Sequence, residues 1–160
     1  MTEILTADLR LPRHAEAFLA LLNAYALDVM GGGSALPAYA QANLVGELLK
    51  RSSAHVILAF VDGEPAGLVN CIEGFSTFAA KPLLNIHDVM VAAPFRGRGI
   101  ARGMLAKAEE IAKERGCCKL TLEVLQGNVA AQALYRACGY DGYALDPAMG
   151  HALFWQKKLA

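Results

Sequence analysis

Residues 92–103 read AAPFRGRGIARG, with Gly97, Gly99 and Gly103 set among Arg96, Arg98 and Arg102. Glycine weakens a helix and arginine is costly to bury, so the stretch is either a solvated turn or a site shaped for an anion. Its flanks place it. Upstream, LLNIHDVMV (83–91) is an apolar, partly β-branched run that reads as a strand; downstream, a helix runs from about Gly99 to Arg115 and is closed by Gly116. The stretch therefore joins a strand end to a helix start, the position at which open α/β sheets bind ligands. The first helical turn leaves about four amide hydrogens without intrahelical partners, and the macrodipole adds roughly half a positive charge, so a phosphate satisfies both. Glycine admits phosphate oxygens close to the backbone, and the arginines add charge-assisted bonds.

Outward from this junction the chain alternates between strand and helix patterns. Glu3 to Ala7 reads as a first strand, followed by a helix from Pro12 to about Asp28 with proline near its start. Gly31-Gly32-Gly33-Ser34 must be loop, because each glycine costs a helix about 1 kcal/mol, and a second helix is expected from about Pro37 to Arg51. HVILAFV, Asp62-Gly63 and PAGLVNCIE follow as strand, turn and strand, the pattern of a hairpin. Beyond the central helix, KLTLEV (119–124) reads as a strand. Asn128 then caps a helix to about Cys138, and HALFWQKKL (151–159) reads as a final strand. A helix between the strands ending at Val91 and starting at Lys119 demands a parallel step, whereas the hairpin is antiparallel. The expected fold is a single α/β domain over residues 1–160. Its sheet is mixed and mostly antiparallel, with a parallel step between the fourth and fifth strands and about four flanking helices.

Composition narrows the function. With 160 residues, 55% of them apolar, the chain supports one core. Fifteen basic residues balance fifteen acidic ones, so no long-range field attracts nucleic acid or an anionic membrane. The opening MTEILTADLRLP lacks a basic region followed by an apolar run, and no window of eighteen apolar residues occurs, so a cytoplasmic location is expected. Cys71, Cys117, Cys118 and Cys138 show no metal-ligand spacing and read as free thiols, and no metal is expected.

The arginine and glycine loop is neither a Walker A sequence, lacking Gly-Lys-Ser/Thr, nor a dinucleotide fingerprint. Arg96-x-x-Gly99-x-Ala101 resembles the acyl-CoA pyrophosphate loop of the GNAT family of N-acetyltransferases. About thirty residues on, Asn128-x-x-Ala131-x-x-Leu134-Tyr135-x-x-x-Gly139-Tyr140 resembles the second signature of that family, after the intervening Leu120-Thr-Leu-Glu-Val124. Residues 83–140 look most similar to the ribosomal-protein alanine acetyltransferase subgroup. That substrate does not carry across, because the GGGS region and Phe75-Ser-Thr-Phe78 do not match it. The resemblance implies acetyl-CoA as co-substrate and direct attack by the amine of a small molecule or peptide. It places the diphosphate on Arg96, Gly97, Arg98, Gly99, Ile100 and Ala101, and the pantetheine arm along Val89, Met90 and Val91 and at Asn128. Tyr135 becomes the acid, and a homodimer is the candidate assembly.

Amine acylation also needs a deprotonated nucleophile. A lysine-like amine with pKa near 10.4 is neutral about once in 2,500 molecules at pH 7, whereas an α-amine near 7.8 is neutral roughly one time in seven. Candidate bases are Glu123, which leads because a glutamate matching it is the base in the resembled subgroup, then Asp88, His87 and Glu73. His87 and Asp88 are adjacent in a strand, so at most one should face the substrate. Tyr135, as a phenol with pKa near 10, suits donation to a departing thiolate of parent pKa about 8.5. The GGGS loop, Tyr25, Asp28 and Phe75 to Phe78 are the expected acceptor contacts. The rival functions are a non-catalytic acyl-CoA sensor and an RNA-binding module built on the arginine loop.

Overall fold

The computed structural model describes residues 1–159. In chain order its elements are β1 (Thr2–Thr6), α1 (Pro12–Leu27), α2 (Ala38–Leu49), β2 (Ala54–Val61), β3 (Glu64–Ser76), β4 (Lys81–Val91), α3 (Ile100–Glu114), β5 (Leu120–Leu122) and α4 (Val129–Ala137), with short 3₁₀ turns at Val29–Gly31, Ala93–Phe95 and Pro147–Met149. They fall into two compact units, Met1–Leu122 and the remainder from Glu123 onward.

The first unit holds the whole sheet, in the order β1-β2-β3-β4-β5, antiparallel except for the parallel β4–β5 pair. Asp62 and Gly63 join β2 to β3 with φ of 50° and 87°, the doubly left-handed geometry of a type I′ turn whose twist matches the strands. Along β2, Val56, Leu58 and Phe60 pack with Leu9, Phe18, Leu21 and Leu22, and Leu44 and Leu48 of α2 lean on the same cluster. Side chains alternate across a strand, so the fully buried Ile57 and Ala59 face the other side. There α3 lies on the sheet through Met104, Leu105, Ala108 and Ile111. The approach is close: a Cβ on Gly67 would stand 2.7 Å from Met104 Cε, and one on Gly103 would stand 2.5 Å from Ile4 Cδ1. Gly103 of the opening stretch is therefore a packing residue.

Two features of β4 position the site. It pairs with β5 only at Leu84, Asn85 and Ile86, so no strand of this unit covers that edge at residues 87–91. On its other edge the register with β3 moves from Asn70↔Asp88 to Cys71↔Ile86, which leaves His87 as the extra residue of a β-bulge.

Three expectations are corrected. Gly31 closes a 3₁₀ turn before the left-handed Gly32, so the glycine segment begins as a turn. The strand expected over 119–124 contracts to Leu120–Leu122 because only three residues find partners on β4, and Glu123 lies past it. HALFWQKKL forms no strand: its apolar run supplies side chains suited to a sheet, but among the described residues no strand pairs with it. No described helix is long and apolar enough to cross a membrane.

Candidate active site

The loop between β4 and α3 is built by two glycines. Gly97 and Gly99 have φ of 75° and 76°, and a Cβ at either would meet nothing within 4 Å. The requirement is thus backbone conformation, which costs an L-residue roughly 1–2 kcal/mol. Left-handed turns one residue apart produce the pattern in which successive N–H groups line a concavity. The buried Ile100 anchors the helix start, and the first helical bond runs from Gly103 N–H to the Gly99 carbonyl at 3.1 Å. Among the described residues no acceptor takes the N–H groups of residues 97 to 102. Six consecutive donors therefore stand beside the N-terminus of α3.

The arginines divide in role. Arg96 Nε donates to the Val91 carbonyl at 3.0 Å and its Nη2 to Asp28 Oδ2 at 3.3 Å, which ties the loop to the segment after α1. Asp28 Oδ1 also accepts from Met30 N–H at 2.9 Å. This backbone bond and the Arg96 guanidinium hold its carboxyl below the usual range. Arg98 stacks over Phe95 at 5.5 Å, and neither Arg98 nor Arg102 forms an ion pair among the described residues.

The open edge of β4 has its own donors. Ala92 N–H donates to Ala66 on β3 at 2.9 Å, so strand alternation turns the amides of Val89 and Val91 to the opposite edge, which no strand of this unit pairs with, while Met90 faces β3. Arg96 takes the Val91 carbonyl there, consistent with that geometry.

A cavity of about 200 Å³ lies between α1, α2 and strands β2 to β4, and both His87 and Asp88 line it. Strict alternation would have separated them; the bulge at His87 breaks it. Asp88 is half-buried and accepts from Asn70 Nδ2 at 2.9 Å. The Tyr25 phenol is pushed up by burial and by the charges of Asp88 and Asp28. Burial, with a smaller contribution from Asp88, pushes the Cys71 thiol up to about 12, which keeps it protonated. Glu73 is bound by Arg115, whose guanidinium holds its carboxyl low, and lies 3.9 Å from His55 Nε2. A larger depression of about 370 Å³ opens between the N-terminal half of α1 and the β2–β3 turn, but it shares no residue with β4 or the glycine loop, and Arg13 stacks over Phe60 there at 4.2 Å.

In the second unit, Glu123 is exposed just past β5. Asn128 caps α4, its Oδ1 accepting from Ala131 N–H at 3.2 Å, and Gln132 Nε2 holds the preceding loop by the Leu125 and Gln126 carbonyls. Tyr135 is half-buried on α4, its ring 6.0 Å from that of Tyr140. Among the described residues no group of three or more His, Cys, Asp or Glu is gathered as for a metal ion.

Asn70 and His55 escaped the sequence reading. Each is a polar residue in an otherwise apolar strand, and that anomaly was the available signal.

The profile of the acetyltransferase (GNAT) family matches residues 16–140. The thialysine N-epsilon-acetyltransferase of Caenorhabditis elegans is 32% identical over 92 residues, covering 58% of this chain and 57% of that protein. The chain spans about half the length of the curated relatives it matches. Among solved structures, the ribosomal-protein-alanine N-acetyltransferase of Brucella melitensis biovar Abortus 2308 superposes with a TM-score of 0.68 at 22% identity, covering 91% of this chain and 99% of that one. The aminoglycoside enzyme AAC(6')-Iy, solved with the bisubstrate analogue CoA-S-monomethyl-acetylneamine, superposes with a TM-score of 0.77 at 18% identity, covering 99% of both chains. These likenesses establish a shared fold, and the profile spans most of the chain, including the glycine loop and the α4 signature: the protein belongs to the acetyltransferase (GNAT) family.

Proposed function

We propose that residues 1–160 form one N-acetyltransferase domain acting in the cytoplasm, which transfers acetyl from acetyl-CoA to the amine of a small molecule or peptide by direct attack in a ternary complex. The observation that carries this reading is the run of six amides at 97–102 that find no acceptor among the described residues, beside the edge of β4 that no strand of the first unit covers. Relatives described as thialysine and streptothricin acetyltransferases support an amine acceptor.

Acetyl-CoA supplies an activated acyl group and a thiolate leaving group. The chain's own groups do the rest. The amides of residues 97–102, with Arg98 and Arg102, hold the diphosphate, since a helix N-terminus and unpaired N–H groups satisfy phosphate oxygens. Val89 and Val91 offer main-chain groups to the pantetheine as a neighbouring strand would, and the Val89 amide is aimed at the acyl carbonyl, where a fixed donor stabilises developing negative charge. Met90 fills the core behind them. Asp88, oriented by Asn70, receives the acceptor's ammonium, with His87 beside it. By family resemblance, Glu123 takes the proton from the amine, Asn128 meets the pantetheine and Tyr135 returns a proton to the thiolate.

The test is amine-dependent release of CoA thiol together with a mass increase of one acetyl on the amine. Acetyl-CoA alone at a hundredfold excess over its Kd should stabilise the fold by about 2.7 kcal/mol; no stabilisation by any acyl-CoA refutes the reading.

A further inference from the structure

We propose that the acceptor is a monoamine carrying one apolar group of about the size of a phenyl ring or a short branched chain, seated in the cavity between α1, α2 and the sheet. This rests on the transferase reading above and names its substrate class.

The cavity has two chemically distinct ends. Phe18 and Leu22 of α1, Leu44 and Leu48 of α2 and Ile72 of β3 make an apolar wall. Its volume of about 200 Å³ compares with roughly 150 Å³ for an apolar cavity that takes up benzene. At the β4 end stand Asp88 and Asn70. Asn70 turns its Nδ2 to the Asp88 carboxylate, which fixes the orientation of the amide and leaves Oδ1 buried with no donor reaching it among the described residues. A buried carbonyl oxygen without a donor is a vacancy for an N–H. A carboxylate and an orphaned acceptor, side by side and one residue from the Val89 amide, suit an ammonium that must lose a proton and meet an acyl carbon.

The polar end also limits charge. Asp88 is the one carboxylate among the residues lining the cavity, and Asp28 nearby is already paired with Arg96. A second ammonium on the acceptor would rest against Leu44 and Leu48 without a counter-ion, which is strongly unfavourable. His55 on the same wall has its Nε2 buried and is kept towards the neutral form by that burial and by Arg115. The cavity thus selects an apolar tail and rejects a polycation.

The experiment uses the full chain saturated with CoA, and titrates ethylamine, butylamine, phenethylamine and 1,4-diaminobutane by NMR. The same amines are assayed for kcat/KM with acetyl-CoA. At about 0.8 kcal/mol per buried methylene, each CH₂ is worth about fourfold, so butylamine should bind some 15-fold more tightly than ethylamine, phenethylamine at least as well, and diaminobutane no better than ethylamine. Leu48→Trp and, independently, Leu44→Trp fill the cavity and should bring phenethylamine down to the affinity of ethylamine, with CoA titration reporting that each variant is folded. A flat series, or preference for the diamine, overturns the pocket. Turnover with a flat ranking overturns the pocket and spares the transferase reading; the expected ranking in binding without turnover does the reverse. The wild-type series decides even if both variants fail to fold.

Discussion

Ala101→Pro deletes one hydrogen atom from the proposed diphosphate site and removes no hydrogen bond from the fold. Ala101 is the second residue of α3, and its N–H has no acceptor among the described residues. Proline is tolerated in a first helical turn because its fixed φ suits a helix and its missing N–H is not needed there. If that N–H meets a phosphate oxygen, its loss removes a hydrogen bond to a charged group, worth about 1.5–3 kcal/mol, so the Kd for acetyl-CoA should rise roughly 10- to 150-fold. Acetylpantetheine, which lacks the diphosphate, is the internal control and should bind the variant as it binds the parent. Calorimetric titration of both ligands, with thermal melts of both proteins, makes the measurement. Gly103→Pro gives the contrast, because it deletes the N–H that donates to Gly99 and should destabilise the fold by about 3 kcal/mol. Equal loss of both ligands, or unchanged acetyl-CoA affinity in a folded Ala101→Pro variant, would refute the reasoning.

Tyr135→Phe and Glu123→Gln should each lower kcat by about a hundredfold or more, the usual range for general acid or base catalysis, with CoA affinity within about twofold; steady-state kinetics beside CoA titration checks both. Gly67→Ala should destabilise the protein by about 1–3 kcal/mol, read by urea unfolding, because the new Cβ would stand 2.7 Å from Met104 Cε and 3.2 Å from the Met90 carbonyl oxygen. Burial, aided by the Arg115 charge, depresses the His55 pKa, so the unfolded chain binds the proton more readily. Stability from this group is present above its unfolded value near 6.5 and is lost as pH falls from there through the folded value. Urea unfolding at pH 7.5 and 5.5 should show that decline, and His55→Gln should flatten it; an unchanged slope would contradict the assignment.

What could be read in advance follows the range of the interactions involved. The glycine loop was legible because left-handed backbone and helix starts are set by a few adjacent residues, and Gly97, Gly99 and Asn128 announce them locally. The Asp62-Gly63 turn is another such case. The Arg96–Asp28 bond spans 68 residues, and the local motif that singles out Arg96 says nothing of a partner so far away in the chain. The bulge at His87 depends on where β3 and β4 lose register, a property of two strands together, and it overturns the alternation that would have kept His87 and Asp88 apart. Asn70 shows the same limit: its polarity stood out in PAGLVNCIE, but its partner and its orphaned oxygen appear only when β4 lies beside it. HALFWQKKL failed for the converse reason, since a short apolar run shows what a segment could pair with and not whether a partner edge is offered.

In the proposed site the backbone hydrogens of residues 97–102 are held open for a diphosphate. Amide hydrogen exchange, resolved residue by residue with and without saturating CoA, tests it most directly. All six should exchange rapidly in the free protein and become protected when CoA binds, with pantetheine leaving them fast. Protection already present in the free protein, or none gained at saturating CoA, would contradict the account.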